Sequence, residues 1–178
     1  MNRIAFYVLL ILVYLGLAKS FSSNELGIAY LKNASGLSKI VKGNNVTAIL
    51  VDMHATGFII KTYYQKYRLV YPFEKTKEII VRVSRKFAHE CKDFIGLSLF
   101  RRLEKESLEN TTPLPPGSLF VGNTSFGRWK QLNSGHQGWV FFMAYSAIPR
   151  ELGWLDFQPN TEFVDSLQTH LGQNKPFL

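Results

Sequence analysis

Cys91 is the sole thiol of the chain, and His54, His89, His136 and His170 are its histidines, so thiol or imidazole chemistry has to be built from these positions. One cysteine excludes an internal disulfide framework and any zinc site made of several thiolates. His89-Glu90 is followed by Asp93 where a zinc-protease helix needs its second histidine, so the H-E-x-x-H pattern is incomplete. His89 and Asp93, one helical turn apart, read instead as a surface pair. No metal ion or cofactor is expected. Asp52 and His54 could orient a base at a strand end, although one such pair has little specificity. The arrangement with most reach sets Cys91 ahead of a histidine further along the chain, His136.

The order of the flanking motifs bears on this pair. A helix-borne Cys91 is followed by Pro115-Pro116-Gly117-Ser118-Leu119-Phe120-Val121, and then by Ser134-Gly135-His136-Gln137-Gly138-Trp139 entering a strand. This order resembles NlpC-type and CHAP-type cysteine peptidases of cell walls, in which a Cys on a helix precedes a Pro-Gly-Asp-Leu strand and a His opens the next one. The resemblance spans roughly residues 87–146. It implies cleavage of a peptidoglycan stem-peptide amide through an acyl-enzyme, with Cys91 as nucleophile and His136 as base. Ser118 stands where the families carry Asp, and residues 88–93 lack the glycine of their cysteine motif. A second reading of Cys91 stays open: it falls on an apolar stripe with Phe87, Phe94 and Ile95, where a thiol is a packed, inert side chain.

Positioning these residues requires elements that the apolar pattern predicts. Residues 25–41 carry Leu26, Tyr30, Leu37 and Ile40 at helical spacing, and residues 46–51 are β-branched and read as a strand. Residues 58–71 fit a helix or a strand equally, and Pro72 ends either. Residues 76–108 are expected to be helical, with Ile80, Val83, Phe87, Cys91, Phe94 and Ile95 on one side. Three prolines make residues 110–117 a connector. Beyond it, residues 118–122, 126–132 and 139–145 read as strands, the last two as a hairpin, and residues 149–153 as a short turn or helix. A final helix over 161–171 is expected, with Asn160 as its N-cap. The expected fold class is therefore α+β: N-terminal helices, then a small antiparallel sheet and a C-terminal helix, in one domain over 21–178.

Residues 1–20 stand apart. Arg3 precedes an uninterrupted apolar run over 4–18, closed by Lys19 and a small polar string. At 15 residues the run suits a secretory signal better than a span, which needs about 20. Cleavage after it gives a periplasmic or secreted protein; an uncleaved inner-membrane signal anchor is the alternative. Sequons start at Asn33, Asn45, Asn110 and Asn123, but small secreted eukaryotic domains normally carry disulfides, which favours a bacterial envelope where the sequons are idle.

Composition then suggests partners. The chain has 178 residues, 46% of them apolar, and a formal charge of +8. Residues 61–105 hold twelve basic against five acidic side chains. Lys61, Lys66 and Arg68 interleave with Tyr63, Tyr64, Tyr67 and Tyr71. Arg82, Arg85 and Lys86, followed by Arg101, Arg102 and Lys105, are expected on the solvent side of the helical region. An anionic envelope polymer, a membrane surface or an envelope protein would fit such a face, whereas no nucleic-acid motif is present and none is expected as partner. Trp129 and Trp139 could offer a stacking surface for sugar rings, or form the core of the sheet. The function this supports first is non-catalytic binding in the envelope, and second the cysteine hydrolase.

Overall fold

The computed structural model describes residues 3–21, 27–103, 108–132, 135 and 137–178. It is a mixed α+β fold, opening with helix α1 (Arg3–Phe21). The apolar run of α1 rises about 22 Å at 1.5 Å per residue, against about 30 Å of bilayer hydrocarbon. Among the described residues no helix is long and apolar enough to cross a membrane.

The main sheet has six strands: β1 (Tyr30–Leu31), β2 (Val46–Thr56), β3 (Thr62–Val70), β4 (Lys77–Val83), β5 (Ser98–Leu103) and β6 (Leu108–Asn110). Their order is β1-β4-β3-β2-β5-β6, and only the β1–β4 pair is parallel. Short helices α2 (Leu37–Ile40) and α3 (Arg85–Glu90) lie in the crossings. The second half adds a 3-10 turn (Pro116–Leu119), the hairpin β7 (Gly127–Gln131) and β8 (Gln137–Phe141), then α4 (Ile148–Leu152) and α5 (Thr161–Gly172).

Two cores share the sheet. Val46, Ala48, Leu50, Tyr67, Leu69, Val81 and Val83 alternate onto one face, where Leu37, Phe87 and Cys91 cover them. Ile49 and Val70 point the other way and meet Phe120, Phe126, Ile148 and Leu152 from the second half. The C-terminal half is tied down by Thr76 Oγ1, which donates to Glu151 at 2.5 Å, and by Phe73 against Tyr145.

Several expectations hold. The strand from Val46 forms, the helix-or-strand stretch 58–71 resolves as strand over Thr62–Val70 (β3) with residues 58–61 in the turn before it, the β7–β8 hairpin pairs Trp129 with Trp139, and Asn160 caps α5 by accepting from the Phe163 N–H at 2.9 Å. Others need correction. The N-terminal helices followed by a small sheet are replaced by a six-stranded sheet ending at Asn110. Residues 30–40 divide into β1, a 3-10 turn capped by the Asn33 side chain, and α2. The helix expected over 76–108 is β4, α3 and β5. Here period two beats period 3.6: Val81 and Val83 are buried while Ile80 is exposed. Ser84 then starts α3 by accepting from the Phe87 N–H, and positive φ at Gly96 (91°) ends the turn before β5. Residues 118–122 are turn, not strand. Gly117 lies so close beneath Trp154 that a Cβ there would stand 1.9 Å from the indole.

Leu50 is fully buried in the first core. Leu50→Ala is expected to lower the unfolding free energy by about 3 kcal/mol in urea titration, while Ile80→Ala on the exposed face shifts it by less than about 0.5 kcal/mol.

Candidate functional site

Cys91 ends α3 as its C-cap and is 2% exposed, packed with Phe87, Ala88 and Leu99 in the first core. It sits on the floor of a cleft of about 320 Å³ whose other polar residues include Asn33, Ser35 and Glu90, and no histidine lines that cleft among the described residues. Burial pushes the thiol up to about 11, against a weaker opposing hydrogen bond with Gln65 and with a further push from Glu90. Its place at the carbonyl end of a helix works in the same direction. A nucleophilic cysteine needs the opposite, a thiolate stabilised near neutral pH. Beside it Gln65 is buried and accepts from Tyr67 Oη–H at 2.7 Å, and burial raises the Tyr67 phenol far above its usual range. His136 lies outside the described residues. The hairpin that would carry it contributes Phe141 to the second core, on the sheet face opposite Cys91.

The basic residues disperse. Lys66, Arg68 and Arg82 stand together on the open part of the second sheet face, paired across β3 and β4 with Tyr64, Ile80 and Glu78. Glu78 holds Lys66 at 2.6 Å and Arg68 at 3.9 Å, and these contacts, Lys66 first, hold the Glu78 carboxyl below its ordinary value. Arg82 lies 5.3 Å over the Tyr30 ring. Arg85 and Lys86 project from α3, which covers the opposite face. Arg101 departs most from expectation. It is buried, because it lies across from Thr47 on the face that the second half covers. Arg102 turns back to the carbonyls of Ser38, Val41 and Gly43 and to Glu109 at 2.6 Å, so it ties β5 to the α2 region rather than facing a partner. Lys105 lies outside the described residues.

Trp139 is 2% exposed, edge-on to Trp129 and Phe141, so it is core rather than a sugar platform. Trp129 is partly covered by the same contact.

The feature missed from the sequence is the tip of the β2–β3 hairpin. Beyond Leu50, β2 runs on without β5 and pairs with β3 alone, while β3 keeps β4 on its other side as far as Tyr63; His54 stacks on Tyr64 at 5.1 Å, and the end of this hairpin forms a finger. At its end Phe58 is 99% exposed, Ile59 87% and Ile60 53%, with exposed Lys61 next to them. The tip is shaped by Gly57, at φ 92°, where a Cβ would lie 2.1 Å from the Ile60 carbonyl oxygen. The available signal was an apolar triplet directly after a glycine between two β-rich runs.

Two outcomes follow from the Cys91 environment. Iodoacetamide near neutral pH should leave the folded chain unlabelled and label Cys91 once urea unfolds it, with mass spectrometry as the readout. The folded thiol also sits above its unfolded value of about 8.5, so its contribution to stability is complete below that pH and is lost as pH rises through about 11. The alkaline fall in urea midpoint is therefore expected to be shallower in Cys91→Ala than in the wild type.

No protein-family model, no curated protein and no solved structure matches this chain, so the reading of its surfaces rests on their geometry.

Proposed function

We propose that this chain is an exported, non-catalytic protein of the bacterial envelope that attaches to an anionic membrane surface through the β2–β3 finger. The observation that carries the reading is the exposure of Phe58 and Ile59, 99% and 87%, at a tip whose backbone Gly57 shapes. Large apolar side chains this exposed and contiguous cost solubility unless something covers them. Full burial of each contributes about 1.5–3 kcal/mol, enough for the triplet to hold the finger in the interfacial layer of a bilayer. Lys61 beside the tip, Lys66 and Arg68 further along β3, and Arg82 on the adjoining β4 each add up to about 1 kcal/mol near anionic headgroups, reduced where Glu78 already pairs Lys66 and Arg68.

The apolar run after Arg3 supports delivery of the chain to that surface. Cleaved, it leaves a periplasmic or secreted protein; uncleaved, it tethers the finger at the inner membrane. The cysteine-hydrolase alternative draws no support from a packed thiol at the carbonyl end of α3.

Because Cys91 is buried, Phe58→Cys in the full chain gives a unique site for an environment-sensitive nitrobenzoxadiazole probe. Phosphatidylethanolamine vesicles containing phosphatidylglycerol are expected to brighten and blue-shift that probe, and adding Ile59→Ser and Ile60→Ser should abolish the change. An unaltered spectrum at saturating lipid, or an equal response with the serine substitutions, would overturn the reading. Probe position separates the finger from α1, which can bind vesicles by itself.

A further inference from the structure

A cavity of about 560 Å³ opens between β5, β6, the turn that follows Pro116–Leu119, and α5, within the range of about 300–1,000 Å³ usual for small-molecule sites. Arg101 forms part of its wall and is 4% exposed, the one charged side chain among the buried described residues. Its Nη1 donates to the Ser98 carbonyl at 3.0 Å and to Ser98 Oγ at 3.2 Å, and its Nη2 to the Thr112 carbonyl at 2.5 Å and to Asn110 Oδ1. These acceptors orient the guanidinium but all are neutral. Among the described residues no carboxylate lies within ion-pair distance of it. Burial lowers its proton affinity to about 10, which still leaves it cationic near neutral pH. A desolvated cation without a counter-charge is a costly state that a bound anion relieves.

A second, independent observation lies in the same cavity. The Ser118 hydroxyl oxygen is buried and has no hydrogen-bond partner, whereas buried polar side chains in folded proteins are nearly always paired. Beside Asn110, Gly122, Asn123, Thr124 and Gln168, the rest of the wall is hydrocarbon: Leu103, Leu114, Leu119, Val121, Val164 and Leu171. Those side chains offer nothing to a hydrated inorganic anion but would bury an alkyl chain. With most of the guanidinium N–H groups already engaged, Arg101 supplies charge more than a donor fork, which suits a single negative charge better than a phosphate gathered by many donors.

We propose that this cavity binds a small amphiphilic carboxylate, with the carboxylate seated between Arg101 and Ser118 and the hydrocarbon portion against the leucine and valine wall. The site lies on β5 and α5, apart from the finger, and is independent of how the finger is used.

Isothermal titration calorimetry of the full chain with octanoate, 1-octanol and inorganic phosphate tests it. Octanoate is expected to bind saturably, with 1-octanol and phosphate each at least about ten-fold weaker. Ser118→Ala removes a hydroxyl that has no partner in the folded chain, so thermal stability should hold while octanoate affinity falls about five-fold. Val164→Trp, which fills the cavity from α5, should abolish binding with an unchanged circular dichroism spectrum. Equal affinity for octanoate and 1-octanol, phosphate binding as tightly as octanoate, an unchanged affinity in either variant, or no saturable heat would each overturn the proposal.

Discussion

Residues 46–50 of β2 are buried in an unbroken row, so this strand must be covered on both faces, and most other features of the fold follow from that requirement. Val46, Ala48 and Leu50 demand one cover, which α2, α3 and their flanking turns provide. Thr47 and Ile49 demand another, which nothing in the first half supplies. The chain after Pro116 therefore returns across the second face and brings Phe120, Phe126 and Ile148 against Ile49 and Val70. That cover stops short of β4, which leaves Ile80, Lys66 and Arg68 facing solvent, and short of the finger tip, where Phe58, Ile59 and Ile60 stand exposed.

Covering both faces has a polar cost, because side chains that a one-sided sheet would point at water are trapped. Most find partners. Thr47 Oγ1 donates to Ser98 Oγ at 2.7 Å, Gln65 accepts from Tyr67, and Arg101 is wrapped by carbonyl, hydroxyl and amide oxygens. Such partnered groups hold β2, β3 and β5 in register, since a one-residue slip would strand each of them in hydrocarbon. The charge of Arg101 is the part that hydrogen bonding alone does not neutralise. It lines, as Ser118 does, a cavity rather than close-packed core.

Local signals carried much of this, and non-local ones carried the rest. The class, the strand at Val46, the β7–β8 hairpin and the Asn160 cap are legible because turn residues, β-branched runs and capping side chains act over a few positions. Residues 77–83 were misleading because Ile79, Ile80, Val81 and Val83 satisfy both periods, and only the neighbouring strand β3 decides between them. The same ambiguity moved Cys91 from a supposed helix interior to the end of a six-residue helix, and Arg101 from a solvated stripe to a covered strand. Burial of Arg101 depends on Thr47, more than fifty residues away, and on a cover that begins after Pro116. No window around residue 101 contains that information. The finger tip was readable in principle, since Phe58-Ile59-Ile60 after Gly57 breaks the rule that turns are polar.

The positive charge shows how far burial reorganises a sequence-level statement. Residues 61–105 hold a clear basic excess, yet folding assigns its members to separate tasks. Arg101 goes inside, Arg102 clamps the α2 carbonyls, Lys66 and Arg68 share Glu78, and Arg85 and Lys86 leave from the opposite face. What remains is a diffuse positive field, which acts over about a Debye length of 8–10 Å to bring an anionic surface near but does not define a contact. For the proposed membrane attachment a short-range term has to supply the contact, and the exposed hydrocarbon of Phe58, Ile59 and Ile60 is suited to that role. In the proposed attachment the two terms differ in salt dependence: added salt would weaken the approach of the finger, while apolar insertion would persist once made.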